Sequence, residues 1–137
     1  MPRRPLATLA PLPVAAPAPG SSYSDVILDV EIDRGALHFV LANIGSTPAH
    51  AVRVKLDRPV RDLADRQVDH NPLYTRLEFL GPGRRVRLLV DALSEYERRR
   101  QPMKFGVALQ WTDDSGHTRK RALVHDLTAW TQLREAF

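Results

Sequence analysis

From Asp25 onward, apolar and polar residues alternate in short runs separated by turn residues, the period-two signature of half-buried β-strands. Val26, Leu28, Val30 and Ile32 alternate with Ile27, Asp29 and Glu31, and Asp33-Arg34-Gly35 turns the chain into a second run of Leu37, Phe39 and Leu41. An Asn43-Ile44-Gly45-Ser46-Thr47-Pro48-Ala49 connection leads to Val52, Val54 and Leu56, which alternate with Arg53, Lys55 and Asp57. The stretch Ala36 to Asp57 therefore reads as two neighbouring strands of an antiparallel sandwich. Gly45 is expected to supply positive φ, and Pro48 removes a donor, so that one ladder ends and the next begins.

Pro59 excludes a central strand, and residues 58–72 read as an irregular crossover with a short edge strand. Leu73, Thr75, Leu77 and Phe79 form the next predicted strand, closed by a Gly81-Pro82-Gly83 turn and followed by Val86, Leu88 and Val90. Between Asp91 and Gln101 the spacing predicts a short helix capped by Asp91, with Leu93 and Tyr96 on one face and Pro102 as its stop. Phe105, Val107, Leu109 and Trp111 give the strongest strand. Asp113-Asp114-Ser115-Gly116 turns it into a partner running from His117 to His125. Asp126 then caps a helical turn in which Leu127 and Trp130 pack on the sandwich end.

The sum is an all-β chain, an immunoglobulin-like antiparallel β-sandwich of about seven strands, with a short C-terminal helical turn. Residues 1–22 differ in texture. They hold Pro2, Pro5, Pro11, Pro13, Pro17 and Pro19 with alanine between them and end in Gly20-Ser21-Ser22. This predicts an extended or disordered Pro/Ala-rich arm preceding a domain at 23–137. Leu6, Leu9, Leu12 and Val14 are candidate anchors by which the arm lies along a neighbouring subunit.

Three pieces carry a family resemblance: Asn43-Ile44-Gly45 with Pro48-Ala49, Leu80-Gly81-Pro82-Gly83, and Trp111-Thr112-Asp113-Asp114-Ser115-Gly116. In this order they resemble bacterial immunoglobulin-like sandwich domains of the CARDB type, the cell-adhesion-related domain found in bacteria. The resemblance spans residues 25–127 and implies the sandwich architecture alone, since a fold does not carry an activity with it. The chain departs from the type in having no recognisable secretion signal and in inserting Ser94–Gln101 before the last hairpin.

Composition narrows the chemistry. The 137 residues contain no cysteine, which removes disulfides, thiolate catalysis and Cys-type zinc sites. Prolines interrupt every apolar stretch near the N-terminus, and no apolar run approaches the ~20 residues of a membrane span. The expectation is a cytoplasmic or other intracellular protein.

His38, His50, His70, His117 and His125 lack metal-ligand spacing, and His38 sits on the solvent side of its strand. Asp113-Asp114 reads as hairpin chemistry rather than a calcium loop. Asp62, Asp65 and Asp69 with His70 read as a solvated loop. No nucleophile elbow or phosphate-binding glycine loop is present. The expectation is a non-enzyme with no cofactor, metal or small-molecule substrate.

Net charge is +4, and Arg3 and Arg4 supply half of it, leaving 18 bases against 16 acids from residue 25 onward. The bases cluster as Arg84-Arg85 with Arg87, Arg98-Arg99-Arg100, and Arg119-Lys120-Arg121. These are the candidate polyanion or interface residues. Converged on one face they would make a phosphate-binding stripe, but interleaved aromatic residues for base stacking are missing. The expected function is protein–protein interaction, as a scaffold or assembly subunit of a larger complex, a viral or phage-like particle included. Nucleic-acid binding through the three clusters and an accessory role beside an enzyme are the rival readings.

Overall fold

The computed structural model describes residues 23–134, so the Pro/Ala-rich segment and its anchors Leu6, Leu9, Leu12 and Val14 lie outside the described residues. Seven strands follow one another: β1 (Val26–Asp33), β2 (Ala36–Asn43), β3 (Ala49–Leu56), β4 (Leu77–Leu80), β5 (Arg85–Ala92), β6 (Lys104–Thr112) and β7 (Thr118–Asp126). Helices α1 (Pro72–Thr75), α2 (Leu93–Arg98) and α3 (Thr128–Arg134) fill the connections and the C-terminal end. The strands form two antiparallel sheets in the orders β1-β2-β5 and β4-β3-β6-β7. This is the A-B-E against C-F-G division of immunoglobulin-like sandwiches, with the fourth strand carried on the C-F-G side.

Alternation places Val26, Leu28, Leu37, Phe39 and Leu41 against Val54, Phe105, Val107, Leu109 and Trp111 in one buried core. The Phe39 and Phe105 rings meet with centroids 5.5 Å apart. Each such side chain contributes ~1.5–3 kcal/mol by leaving water, enough in sum to hold two sheets together without cross-links.

Four expectations need correction, the positive φ of Gly45 among them. β2 and β3 are consecutive but not neighbours: they lie in different sheets, and the Asn43–Ala49 connection crosses the sandwich. The Gly81-Pro82-Gly83 turn forms as expected, with Gly83 at a φ of 75°, and it too joins strands of opposite sheets. Leu73 and Thr75 belong to a helical turn, not a strand, because Asn71 Oδ1 accepts the Leu73 N–H at 2.9 Å and Pro72 fixes the first helical φ. Asp91 does not cap α2. Its carboxylate accepts from Arg99 on Oδ2 and from the Ala92 N–H on Oδ1, and Ala92 stands at the cap position.

The Asn43-x-Gly45 motif has a structural explanation. Fully buried Asn43 accepts the N–H groups of Gly45 (2.9 Å) and Asp25 (3.2 Å) on Oδ1. Its Nδ2 donates to the carbonyls of Thr47 (2.9 Å) and Leu80 (3.0 Å). One side chain thus ties the crossing to both sheets. Gly45 is required by space and not by a positive φ: a Cβ there would meet Tyr23 O and lie 2.8 Å from both Asp25 N and Ser24 Cα. The 23–25 segment packs this closely because Tyr23 O accepts the N–H groups of Ser46 (2.7 Å) and Thr47 (3.0 Å). Ser24 Oγ also takes the Trp111 indole N–H at 3.0 Å.

Candidate functional site

The wet face of the four-stranded sheet is the most distinctive surface of the molecule. Antiparallel registers set out its rows: Phe79, His50, Thr112 and Thr118; then Arg53, Gln110 and Lys120; then Lys55, Ala108 and Ala122; then Gly106 and Val124. The first row exists because β3 bulges at Ala51, whose φ of 48° breaks the two-residue alternation. Ala49 is thereby buried while His50 turns to the outer face, where Asp114 takes its Nε2 at 2.8 Å and the Phe79 ring lies edge-on to it.

The middle rows enclose an open groove of about 470 Å³. Ala108 and Ala122 make its floor; Arg53, Lys55, Gln110 and Lys120 stand around it. The floor is low because Gly106 and the two alanines occupy positions where a solvated sheet face ordinarily carries longer side chains. Gly106 cannot be enlarged freely, since a Cβ would lie 2.8 Å from Asp57 Oδ2 while its own N–H donates to Asp57 Oδ1 at 2.7 Å. Val124, 67% exposed, continues the groove as an apolar shoulder.

The charges on this face are unevenly matched. Arg53 donates to the Val52 and Leu77 carbonyls and to Glu78 at 3.0 Å. Lys55 and Lys120 have no ion pair among the described residues. The groove is therefore cationic on both flanks.

The other basic candidates are spread around the molecule. Arg85 and Arg87 stand on the outer face of the opposite sheet, paired with Glu31 at 3.2 and 3.3 Å, and Arg87 also reaches Asp33 and His38. Arg98 pairs with Glu95 on α2 and holds that carboxyl below its ordinary range. Arg99 is a structural pin: it donates to Asp91 Oδ2 at 3.1 and 2.7 Å and to the Arg61 and Asp62 carbonyls at 3.2 Å. Arg119 joins Asp113 in the last turn at 2.8 Å, and Arg121 bonds Asp25 across the open side of the sandwich. Arg84, Arg100 and Lys120 have no ion pair among the described residues, but they lie on the β5 approach, after α2 and on β7 respectively. Sequence proximity thus does not gather the three clusters into one stripe.

The acidic and histidine candidates are also accounted for. Asp113 accepts the N–H groups of His117 and Ser115 at 2.9 Å each, and these bonds with Arg119 hold its carboxyl below the ordinary range. The solvated-loop expectation holds for Asp65 and His70 only: buried Asp62 caps its own loop through the Ala64 and Arg66 N–H groups, and buried Asp69 accepts the Leu56 N–H and the Gln67 amide at 3.0 Å each. His125 bonds the Leu28 carbonyl at 2.6 Å, whereas His70 and His117 are exposed. Among the described residues no three His, Cys, Asp or Glu side chains are grouped to hold a metal ion. No helix among them is long and apolar enough to cross a membrane. The groove itself escaped the sequence reading, although Gly106 and Ala108 on the wet parity of the strongest strand were its visible signal.

A domain-family comparison places these features in context. The chain belongs to the DUF8453 family. The match, to a domain of unknown function, covers residues 20–131 and hence all seven strands. Comparisons with curated proteins and with solved structures return no match.

Proposed function

We propose that this chain is a non-catalytic protein-interaction subunit of a larger assembly, and that it docks through the outer face of β3, β6 and β7. The observation that carries this reading is the groove floored by Ala108 and Ala122, with Lys55 and Lys120, unpaired among the described residues, on its flanks and exposed Val124 beside it. A low apolar floor within a charged rim is the layout of docking surfaces, whose centres are depleted of charge while their rims stay polar. The opposite sheet is less suited. Its outer cations are already neutralised by Glu31 and Asp33, so a partner there would have to break existing pairs.

The test is site-specific cross-linking in the source cells. A photoreactive residue at Ala108 or Ala122 is compared with one at Leu89 on the opposite sheet. The expected result is a discrete adduct from the first two positions alone, lost when Val124→Glu is added. Equal adducts from both faces, or adducts only from Leu89, would overturn the assignment of the face.

A further inference from the structure

We infer that β7 is a receptor edge: it accepts an incoming strand from a partner protein, and that strand is acidic. This rests on the docking role proposed above and names the chemistry of its occupant. Among the described residues, β7 pairs with β6 and with no other strand. Its backbone phase is fixed at both ends, by the Asp113 N–H to His117 carbonyl bond (2.9 Å) and the Leu127 N–H to Met103 carbonyl bond (2.7 Å). In an antiparallel pair, mutually bonded residues alternate with residues whose N–H and C=O point outward. With the register Gln110 to Lys120, Ala108 to Ala122 and Gly106 to Val124, the outward-pointing groups along the middle of the strand are those of Lys120, Ala122 and Val124, with Thr118 and Asp126 in the same phase at its ends. The three middle residues are exposed.

The edge is not closed from the other sheet. β1 packs across β6 and β7, and β7 reaches back to it with Arg121 to Asp25 and His125 to Leu28 O. These side chains leave on the inner side of the strand and consume the inner charges. What remains on the outer side is Lys120 beside Ala122 and Val124, continuous with the groove and with Lys55 on its far flank, while Asp126 at the strand's end is bonded by the Thr128 N–H and hydroxyl and faces Lys104 across the pair.

Charge selects the occupant. A second copy of β7 would bring its own Lys120 to an edge whose outer cation is already a Lys120, with Arg119 and Arg121 held by Asp113 and Asp25 in both copies. Residues 1–22 of this chain carry Arg3 and Arg4, no acid and six prolines, which cannot donate to a ladder. A foreign strand with a carboxylate beside Lys120 and an apolar residue beside Val124 satisfies both the backbone and the rim. Main-chain bonds would supply its affinity, and alternate side chains its specificity.

The experiment uses the full chain, isotope-labelled, with two nine-residue synthetic peptides. One alternates glutamate and valine, and the other alternates lysine and valine. The glutamate peptide is expected to slow amide exchange at Lys120, Ala122 and Val124 and to shift Ala108, with affinity falling as salt rises. Lys120→Glu should reverse the preference between the peptides, by about fivefold for each charge pair exchanged. Three results would overturn the inference: equal affinity for both peptides, unchanged exchange at the three edge amides, or no response at low salt. Groove shifts without edge protection would overturn strand addition alone and leave the docking face standing. In the no-response case, Lys120 merely protects an edge against self-pairing, and the cross-linking result still decides the face independently.

Discussion

Replacing Asn43 by alanine removes the one side chain that bonds both sheets to the crossing between them. Four groups lose their partner: the N–H of Asp25 and Gly45, and the carbonyls of Thr47 and Leu80. The Leu80 bond is buried, and water does not reach that carbonyl without rearrangement; the other three are partly buried and gain some compensation from solvent. Leaving a buried polar group unpaired costs ~1–3 kcal/mol, and a partly solvated one less, which gives a loss of about 3–5 kcal/mol for Asn43→Ala. Against a total of ~5–15 kcal/mol for a domain, this leaves the protein folded but marginal. The assay is urea unfolding followed by fluorescence of buried Trp111, whose indole is tied to Ser24 next to the same junction. Asn43→Asp sharpens the test. It keeps the acceptor toward Asp25 and Gly45 but sets a carboxylate against two carbonyls, so at neutral pH it should be less stable than the alanine variant. The folded state then raises the pKa of the introduced carboxyl. Its penalty relative to wild type should therefore grow as pH rises from the unfolded value of ~3.9 through the folded one, and shrink on acidification. A loss below about 1 kcal/mol for Asn43→Ala, within the range of a single net hydrogen bond, would refute the reasoning. So would an Asn43→Asp variant as stable as wild type at pH 7.

Four further outcomes follow from the same structure. Gly45→Ala should destabilise by about 2–3 kcal/mol through overpacking against Tyr23–Asp25, read as a lower urea midpoint at unchanged slope; a neutral effect would place the close approach elsewhere. Arg99→Ala should cost about 2 kcal/mol by taking the charged donor from Asp91 Oδ2 and the guanidinium N–H from the Arg61 and Asp62 carbonyls, and Arg99→Lys should recover only part of it, because lysine lacks the planar fork. Tyr74→Phe should be neutral or stabilising by up to about 1 kcal/mol in thermal unfolding, since the buried Tyr74 hydroxyl has no hydrogen-bond partner among the described residues and burial alone raises its pKa; a clear loss would reveal a hidden partner. Asp113 has a carboxyl pKa lowered chiefly by the His117 N–H, so its contribution is present above the unfolded value and is lost as pH falls through the folded one. Asp113→Asn should accordingly flatten the acid side of the stability–pH curve, and an unchanged curve would contradict the assignment.

The strands and most turns were legible along the chain because alternation is a local property: it records which residues face water, whatever lies alongside. Phe105 to Trp111 and its return through Asp113–Gly116 needed nothing else. Leu73 and Thr75 misled because a four-residue stretch can match period two by chance, and the Asn71-Pro72 cap overrode it. His50 was out of reach for another reason. A single bulged residue, Ala51, reverses parity, and no residue type announces a bulge at an alanine with φ of 48°.

What the sequence alone determined was the inventory: about seven β segments, most of their buried parities, a connection at Asn43–Ala49 and the lack of cysteine. Tertiary structure decided how that inventory is joined. It placed β2 and β3 in opposite sheets, and it gave Asn43 bonding partners 18 and 37 residues away. It also spent Arg121 on Asp25, 96 residues distant, while leaving Lys55 and Lys120 unpaired around a shallow floor. Local pattern fixes which way a side chain faces; only the strand that comes alongside fixes what it meets, and the cationic groove and open β7 edge are products of that second step.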